Sequence, residues 1–217
     1  MNARPKSDAR EQLLKAGLSV IREKGYSAMR VEDICARAGL TKGGFFHHFK
    51  GKEDFAVASA NYWSEITGQF FAAAPYHQLS DPLDRVLGYI DFRKAILKGT
   101  LPEFTCLAGT MVQETYDTNP LIRAACEASI SGHAAEVAKD IAAAKELYVA
   151  DADWTPESLG LYTQAVLQGA FILAKAKQGP DVAAQCIDHL RHYVELLFNR
   201  YSTGRPPRWQ PNPTTFT

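Results

Sequence analysis

The sequence has few cysteines and no long apolar run. Its four cysteines, Cys35, Cys106, Cys126 and Cys186, are widely separated and form no Cys-x-x-Cys pair. We therefore expect neither a disulfide framework nor a zinc site, and reduced thiols are typical of a cytoplasmic protein. No apolar segment approaches the roughly 18–20 residues that span a bilayer, and none follows the basic N-terminus, so neither a membrane helix nor a secretory signal peptide is predicted.

The common motifs of enzymes are also missing. The sequence contains no phosphate-binding loop, Gly-x-Ser-x-Gly elbow, dinucleotide fingerprint or His-Glu-x-x-His motif. Glu114 and His133 could form an acid–base pair, and His189 and His192 have a spacing that could share a metal. Such groups on amphipathic helices are usually structural, so we expect no catalysis, no metal and no cofactor.

The chain has no net charge, but its charges are unevenly distributed. Residues 1–54 carry 11 Lys and Arg against 7 Asp and Glu, a net charge of +4. Residues 55–217 carry 13 against 17, a net charge of −4. A basic head on an acidic body predicts a polyanion-binding module joined to a unit with a different role.

Helical periodicity covers almost the whole sequence, and no segment alternates like a half-buried strand. The prediction is an all-α fold with about nine helices. Caps, prolines and apolar spacing place these helices at about 8–24, 31–38, 42–48, 51–73, from 82, from 102 through 111, 120–148, 156–177 and 180–201. The last segment, STGRPPRWQPNPTTFT, has four prolines and no periodicity, which predicts a flexible tail.

Residues 31–49, VEDICARAGLTKGGFFHHF, have the layout of a helix-turn-helix. Gly39 is placed to supply the positive φ of the turn, and Phe45 to pack beneath it. The second helix exposes small or basic residues, which would let its backbone approach a major groove. Spacing alone leaves open an ordinary helical hairpin in which the glycines serve only as caps.

The stretch from Ala9 to Phe55 resembles the N-terminal DNA-binding domain of the TetR family of bacterial transcriptional regulators, the TetR/AcrR type. The matching elements are the first amphipathic helix, EKGYSAMRVEDIC and AGLTKGGFFHHFKGKEDF, together with the length of the whole chain. Two positions depart from the pattern of the family. Gly44 replaces a side chain with a hydroxyl or methyl group, and Phe46 replaces a Tyr whose hydroxyl commonly contacts a phosphate.

The resemblance implies a ligand-responsive transcriptional regulator, usually a repressor, that binds a palindromic operator as a homodimer and is released by a small organic effector. It divides the chain into a DNA-binding domain at 1–50, a ligand-binding and dimerisation domain at 51–201 and a tail at 202–217. The residues expected to contact DNA are Arg30, Thr41, Lys42, Gly43, Gly44, His47 and Lys52, with Arg4 and Lys6 as candidates for a minor groove.

The middle helices carry more aromatic side chains than a slim helical core needs, and polar residues accompany them. An apolar cavity with a few convergent polar groups is typical of a small-molecule site. The residues expected to line it are Trp63, Phe70, Tyr89, Phe92, Arg93, Phe104, Met111, Gln113 and His133. We expect a partly apolar effector whose polar or acidic end meets Arg93, Gln113 or His133. Cys106 is interpreted as a packed thiol, with a redox or electrophile sensor as the alternative.

Two other functions stay open at this point. The middle helices could form an enzyme, or the chain could be a helical module that binds a protein partner. The last two helices carry apolar residues on more than one face, and a helix with so wide an apolar surface must bury a second face. Packing against a two-fold mate would satisfy this requirement.

Overall fold

The computed structural model describes residues 8–200, so the candidate arm at Arg4 and Lys6 and the predicted tail at 202–217 lie outside it. Within that range the chain is mainly helical and has no β-strand, which confirms the all-α fold class. No helix in this range is long and apolar enough to cross a membrane. Ten α-helices follow in order: α1 (Ala9–Ala28), α2 (Val31–Ala38), α3 (Lys42–His48), α4 (Lys52–Ala72), α5 (Pro82–Ala95), α6 (Leu101–Phe104), α7 (Leu107–Thr115), α8 (Pro120–Tyr148), α9 (Pro156–Lys177) and α10 (Asp181–Leu197).

The count exceeds the predicted nine because one predicted helix divides in two. The chain leaves the helical conformation after Phe104 and resumes it at Leu107, since Thr105 and Cys106 are extended, with ψ of 156° and 127°. The Cys106 Sγ accepts a hydrogen bond from the Gly109 N–H at 3.4 Å and so caps the N-terminus of α7. The prediction of one continuous helix here was wrong.

The caps and prolines placed most of the other boundaries correctly. Helices α2, α3, α8 and α9 begin and end at the predicted residues. Thr41, Asn119 and Thr155 each accept a hydrogen bond from a backbone N–H at the start of a helix. The first helix differs, because it continues for one turn beyond Gly25, whose φ of 84° breaks the helical path.

Two large apolar cores and a small cluster at Ala170, Ala174 and Ala183 lie in the described chain, and α4 contributes to both large cores. The first core joins α1 to α4 with α7 and the beginning of α8, and Phe55 lies fully buried within it. The second joins α5, α8, α9 and α10, and it includes Phe71 from the far end of α4. Helix α4 therefore connects the helix-turn-helix to the rest of the molecule.

Helix α1 packs tightly against α4 at Gly17. A Cβ atom placed on Gly17 would lie 2.3 Å from the Cζ of Phe55, which is shorter than any ordinary contact. Phe55 cannot move aside easily, because its ring packs against Phe45 and Phe49 at centroid distances of 5.3 and 4.9 Å. The absence of a side chain at Gly17 thus sets the distance between the two helices.

We expect Gly17→Ala to lower the free energy of unfolding by about 1–3 kcal/mol, because the added methyl group overpacks the first core. The matched control is Gly132→Ala in α8, where an added Cβ meets nothing within 4 Å. That change should instead stabilise the protein by roughly 0.5–1 kcal/mol, since alanine favours the helix. Urea denaturation of the two variants checks this, and equal effects would contradict the proposed crossing.

Candidate nucleic-acid interface and ligand cavity

Helices α2 and α3 form a helix-turn-helix supported from below by apolar side chains. Gly39 adopts the left-handed conformation, with φ of 67°, and ends α2. The Leu40 N–H donates to the Cys35 carbonyl at 3.0 Å, which closes the turn. Ile34 and Phe45 are fully buried under it. The turn therefore holds the outer face of α3 in one orientation.

That outer face is exposed and carries small, basic and aromatic residues. The Thr41 Oγ1 accepts a hydrogen bond from the Gly44 N–H at 3.1 Å, so Thr41 caps α3. Lys42, Gly43 and His47 are exposed around it. Phe46 is 56% exposed, an unusual position for an apolar ring in an isolated chain. Of the residues predicted to contact DNA on or beside α3, Thr41, Lys42, Gly43 and His47 are thus accessible, and Gly44 is half-buried.

Lys42 already has an acidic partner within the helix-turn-helix. Its Nζ lies 2.5 Å from the Glu32 Oε1, and both side chains are more than half exposed. The hydrogen bond and charge of Lys42 lower the pKa of Glu32. Exposed pairs of this kind contribute little to stability, so a phosphate could displace Glu32 at small cost.

Arg30 and Lys52, the two basic residues outside α3 that are predicted to contact DNA, differ in whether their side chains are held by other groups of the protein. Arg30 is exposed at the start of α2. Lys52 donates from Nζ to the Ser27 carbonyl at 2.9 Å and lies 4.6 Å from the ring centroid of Tyr26, and burial lowers its pKa. Its ammonium is therefore held by the protein itself, and its contact with a phosphate stays a prediction.

Glu114 on α7 contacts the break in α1 directly. Its Oε1 and Oε2 accept hydrogen bonds from the backbone N–H groups of Tyr26 and Ser27 at 3.1 and 2.7 Å. A Cβ on Gly25 would lie 2.3 Å from the Glu114 Oε1 and would displace this carboxylate, and the positive φ also favours glycine at this position. Glu114 does not face His133, and the acid–base pair considered from the sequence is not formed.

A cavity of about 290 Å³ lies between α1, α4, α5, α6, α7, α8 and α9. We call it the central cavity. Its wall is mainly aromatic and aliphatic, with several polar groups. Five of the residues predicted to bind a ligand line it: Trp63, Phe70, Arg93, Phe104 and His133. The structure thus brings together more than half of the predicted set.

Two further predicted residues lie beside the central cavity. Tyr89 lines an adjacent cavity of about 330 Å³, which shares Phe71 and His133 with the central one. Phe92 packs its ring against those of Phe70 and Phe71, at centroid distances of 5.4 and 5.8 Å, and lines neither cavity. Phe92 therefore supports the aromatic wall from behind.

The two remaining predictions, Met111 and Gln113, were wrong about position. Met111 is fully buried in the first core, and the exposed Gln113 donates from Nε2 to the Gly109 carbonyl at 2.6 Å. The cause is the break between α6 and α7, because it resets the helical phase. Residues beyond it do not share the face that a continuous helix through Phe104 would give them.

The structure adds a cavity residue that the sequence analysis missed. Arg22 belongs to α1, yet its guanidinium lies 5.0 Å above the ring of Trp63 and reaches the central cavity. It donates to the carbonyls of Leu18 and Glu103 at 3.1 and 3.2 Å, and burial lowers its pKa. Periodicity gave no signal for this, since Trp63 and Glu103 are more than 40 residues away from Arg22 in sequence.

A chain of hydrogen bonds crosses the polar side of the two cavities. The Tyr89 hydroxyl lies 3.0 Å from the His133 Nε2 and 3.0 Å from the Gln164 Nε2. Burial, with a smaller contribution from the charge of Arg93, lowers the pKa of His133 to about 3. The imidazole is therefore neutral at physiological pH. Arg93 itself lies between two rings, 5.1 Å from the centroid of Phe71 and 5.6 Å from that of Phe171.

The other candidate groups are placed as follows. Cys106 lines the central cavity, and its role as a sensor stays a prediction. His189 and His192 are both exposed on α10. Among residues 8–200, no three His, Cys, Asp or Glu side chains form a group that could hold a metal ion.

Comparison with known proteins finds similarity in the helix-turn-helix and along most of the chain. The family profile described as "Bacterial regulatory proteins, tetR family" matches residues 13–58. The transcriptional regulator AcuR of Cereibacter sphaeroides is 27% identical over 80% of this chain and 79% of its own length. The HTH-type transcriptional repressor NemR of Escherichia coli K12 is 25% identical over 89% of this chain and 98% of its own. A crystal structure of regulatory protein TetR from Rhodobacter sphaeroides matches with a TM-score of 0.76 and 25% identity, covering 85% of this chain and 98% of that one.

The profile match falls on the helix-turn-helix, and the similarity to regulators continues through the cavity-forming helices. Residues 13–58 thus carry the DNA-binding domain of the TetR family. The resemblance carried by residues 9–55 is thereby confirmed, and the TetR family consists of transcriptional regulators. The residues that contact DNA or ligand remain predictions. The geometry described above specifies which side chains to test.

We expect Lys42→Ala to weaken binding to every duplex alike and to reduce the salt dependence of log K by about one unit, because one phosphate contact is lost. The matched control is Lys139→Ala on α8, since Lys139 is also exposed and paired, with its Nζ 2.7 Å from the Glu136 Oε2. Fluorescence anisotropy over a range of salt concentrations measures both. If Lys42→Ala and Lys139→Ala show the same salt dependence and affinity, Lys42 does not contact DNA.

Proposed function

We propose that the protein is a cytoplasmic, ligand-responsive repressor that binds a palindromic operator as a homodimer and is released by a small organic effector in the central cavity. The observation that carries this proposal is the path of α4. Its N-terminal part packs beneath the helix-turn-helix through Phe55, and its C-terminal part lines the cavity through Phe70. The relatives AcuR and NemR are named as a transcriptional regulator and a transcriptional repressor, which supports the proposal.

Two contacts besides α4 couple the cavity to the DNA-binding helices. Arg22 of α1 forms part of the cavity wall. Glu114 of α7 holds the backbone at Tyr26 and Ser27, and α7 begins at the cavity with its cap Cys106. A ligand that moves α4 or α7 would therefore also move α1. Release by 10–100-fold requires a preference of about 1.4–2.8 kcal/mol for one of the two conformations.

The assembly proposed for DNA binding is a dimer through α9 and α10. Both helices expose large apolar side chains in the single chain, and Tyr162 of α9 contacts Tyr193 of α10 with ring centroids 5.1 Å apart. The exposed set is Leu161, Tyr162, Ile172, Leu173, Tyr193 and Leu196. Burial of this surface against a second copy would place two heads on half-sites roughly 34–36 Å apart, or a multiple of this distance.

The direct test of the proposed function is a mobility-shift titration with the DNA upstream of the protein's own gene. We expect a symmetric footprint and loss of the complex on addition of the effector. A footprint without two-fold symmetry would contradict the dimeric arrangement. The absence of any specific complex would favour a protein-binding module instead.

The dimer is tested separately by Gly169→Leu. Gly169 lies among the exposed apolar residues of α9, and an added Cβ meets nothing within 4 Å in the single chain. We expect the bulkier side chain to prevent close approach of the two copies, so light scattering at micromolar concentration should give the mass of one chain rather than two. Gly132→Leu on α8 is the control, because that position is equally open. A dimeric Gly169→Leu protein would place the interface elsewhere.

The effector site is tested by filling the cavity. Thr67 of α4 lines it, so Thr67→Trp should leave operator affinity within about threefold of wild type while reducing release by the effector at least roughly tenfold. Gln69→Trp, two residues further along α4 and exposed, adds the same side chain outside the central cavity. Mobility shifts with and without effector measure both properties. A normal response from Thr67→Trp would exclude the central cavity as the effector site.

A further inference from the structure

We propose that the central cavity binds a carboxylate. The anionic group would be held by the Arg93 guanidinium and the His133 imidazole, and the apolar remainder of the molecule would pack on the aromatic wall. This inference rests on the proposed function, because it takes the central cavity as the effector site. It adds the chemical class of the effector and the two residues that select it.

Arg93 is a buried donor without an acceptor. Its Nε is inaccessible to solvent and has no hydrogen-bond partner within residues 8–200, and no carboxylate of that range forms an ion pair with its guanidinium. The rings of Phe71 and Phe171 fix its plane. Arg93 as a whole is half-buried, and an unpaired cation that keeps one fully buried N–H is costly. A carboxylate would supply the missing charge and acceptor together, in the planar geometry that guanidinium favours.

The hydrogen bonds around His133 determine which of its ring atoms can serve a ligand. The Gln164 Nε2 donates to the Tyr89 hydroxyl oxygen, and we assign the Tyr89 hydroxyl hydrogen to the His133 Nε2. The Nε2 is therefore the acceptor, and the single proton of the neutral ring lies on Nδ1. No residue in the described part of the chain accepts from Nδ1. His133 thus offers the cavity an N–H donor, which a carboxylate accepts and an ammonium does not.

The surrounding charges favour the same sign of ligand. Arg22 and Arg93 both line the cavity, and neither has a carboxylate partner among the described residues. Glu103 is the one acidic residue among the lining side chains. It is exposed, and its Oε2 already accepts from the N–H and the hydroxyl of Thr100. The electrostatic potential in the cavity is therefore set mainly by the two arginines, which attract an anion and repel an amine.

The rest of the wall defines the tail of the ligand. Trp63, Phe70, Phe104 and Phe171 present aromatic surface to the cavity. The volume of about 290 Å³ is at the small end of ligand pockets. The matching molecule is a monocarboxylic acid with a short aromatic or unsaturated tail.

The experiment compares probes that differ only in the polar group. Hydrocinnamate, hydrocinnamamide and phenylpropylamine share one skeleton, and butanoate, butanamide and butylamine form a shorter set. Each is titrated into the full chain without DNA and followed by calorimetry and by tryptophan fluorescence, to which Trp63 in the cavity wall contributes. We expect at least one carboxylate to bind roughly 10–100-fold more tightly than its amide, and the amines to bind most weakly.

Three variants test the residues. Arg93→Gln should weaken the carboxylate roughly 10–100-fold, and Arg93→Lys should weaken it less because the charge remains. Lys94→Gln is the matched control: it removes a positive charge from the next residue of α5, which is exposed and paired with Asp188 at 2.7 Å. Its affinity should change by no more than about twofold. Circular dichroism establishes that each variant is folded.

Tyr89→Phe tests the positioning of His133 by a readout that a structural role would not alter. Nitrogen-15 NMR of the imidazole should show the Nδ1–H form in wild type. In the variant a substantial share of the Nε2–H form should appear, together with weaker carboxylate binding. An unchanged tautomer in Tyr89→Phe would overturn the role assigned to His133.

The proposal is overturned if amides or amines bind as tightly as carboxylates, if Arg93→Gln keeps wild-type affinity, or if no carboxylate binds by about 10 mM. These outcomes are separate from failure of the proposed function. Carboxylates that bind through Arg93 but leave the operator complex intact would refute the effector role and leave the binding site standing. Release from the operator by an uncharged molecule alone would refute the carboxylate proposal and leave the proposed repressor function standing.

Discussion

The contact between Glu114 and the broken end of α1 fixes the DNA-binding helices relative to the rest of the chain. Gly25 interrupts α1, and the interruption leaves backbone N–H groups at Tyr26 and Ser27 without helical partners. One carboxylate from α7 accepts both, and charge-assisted hydrogen bonds of this kind are among the stronger polar interactions in proteins. The orientation of α2 and α3 therefore depends on a helix that begins at the central cavity.

Apolar packing fixes the positions of the helices that make this polar contact. Helix α4 contributes Phe55 to the core beneath the helix-turn-helix and Phe71 to the core beside the cavity. Its approach to α1 at Gly17 leaves no room for even a methyl group. Closely packed elements of this kind respond to a ligand by moving as rigid bodies, because their interfaces do not deform continuously.

The sequence predicted local features well and long-range contacts poorly. The boundaries of α2 and α3 followed from Gly39 and Thr41, because a left-handed turn and an N-cap depend only on neighbouring residues. The break at Thr105 and Cys106 has no such signal, and the assignments of Met111 and Gln113 failed with it. Five cavity residues were nevertheless predicted, because the aromatic residues Trp63, Phe70 and Phe104 and the polar residues Arg93 and His133 recur on the inner faces of the middle helices.

The cavity position of Arg22 and the contact of Glu114 with α1 were not predicted, although Glu114 had been considered as a partner of His133. Each is an ordinary charged residue on an amphipathic helix, and each acquires its role from a partner brought close only by the tertiary fold. Arg22 donates to the Glu103 carbonyl, and Glu114 accepts from Tyr26 and Ser27, across more than 80 residues of sequence in both cases. Spacing within one helix carries no information about such pairs.

The uneven charge of the neutral chain has a consequence for how it meets DNA. The full chain has no net charge, but within the described range residues 8–54 carry 9 Lys and Arg against 7 Asp and Glu, and residues 55–200 carry 11 against 17, so this part of the molecule has an electric dipole. Beyond a Debye length of about 8 Å at physiological salt, a duplex would neither attract nor repel the neutral chain. At closer range the phosphates would turn the basic end toward the duplex and hold the acidic body away. The dipole therefore selects the orientation of the encounter before any base is read.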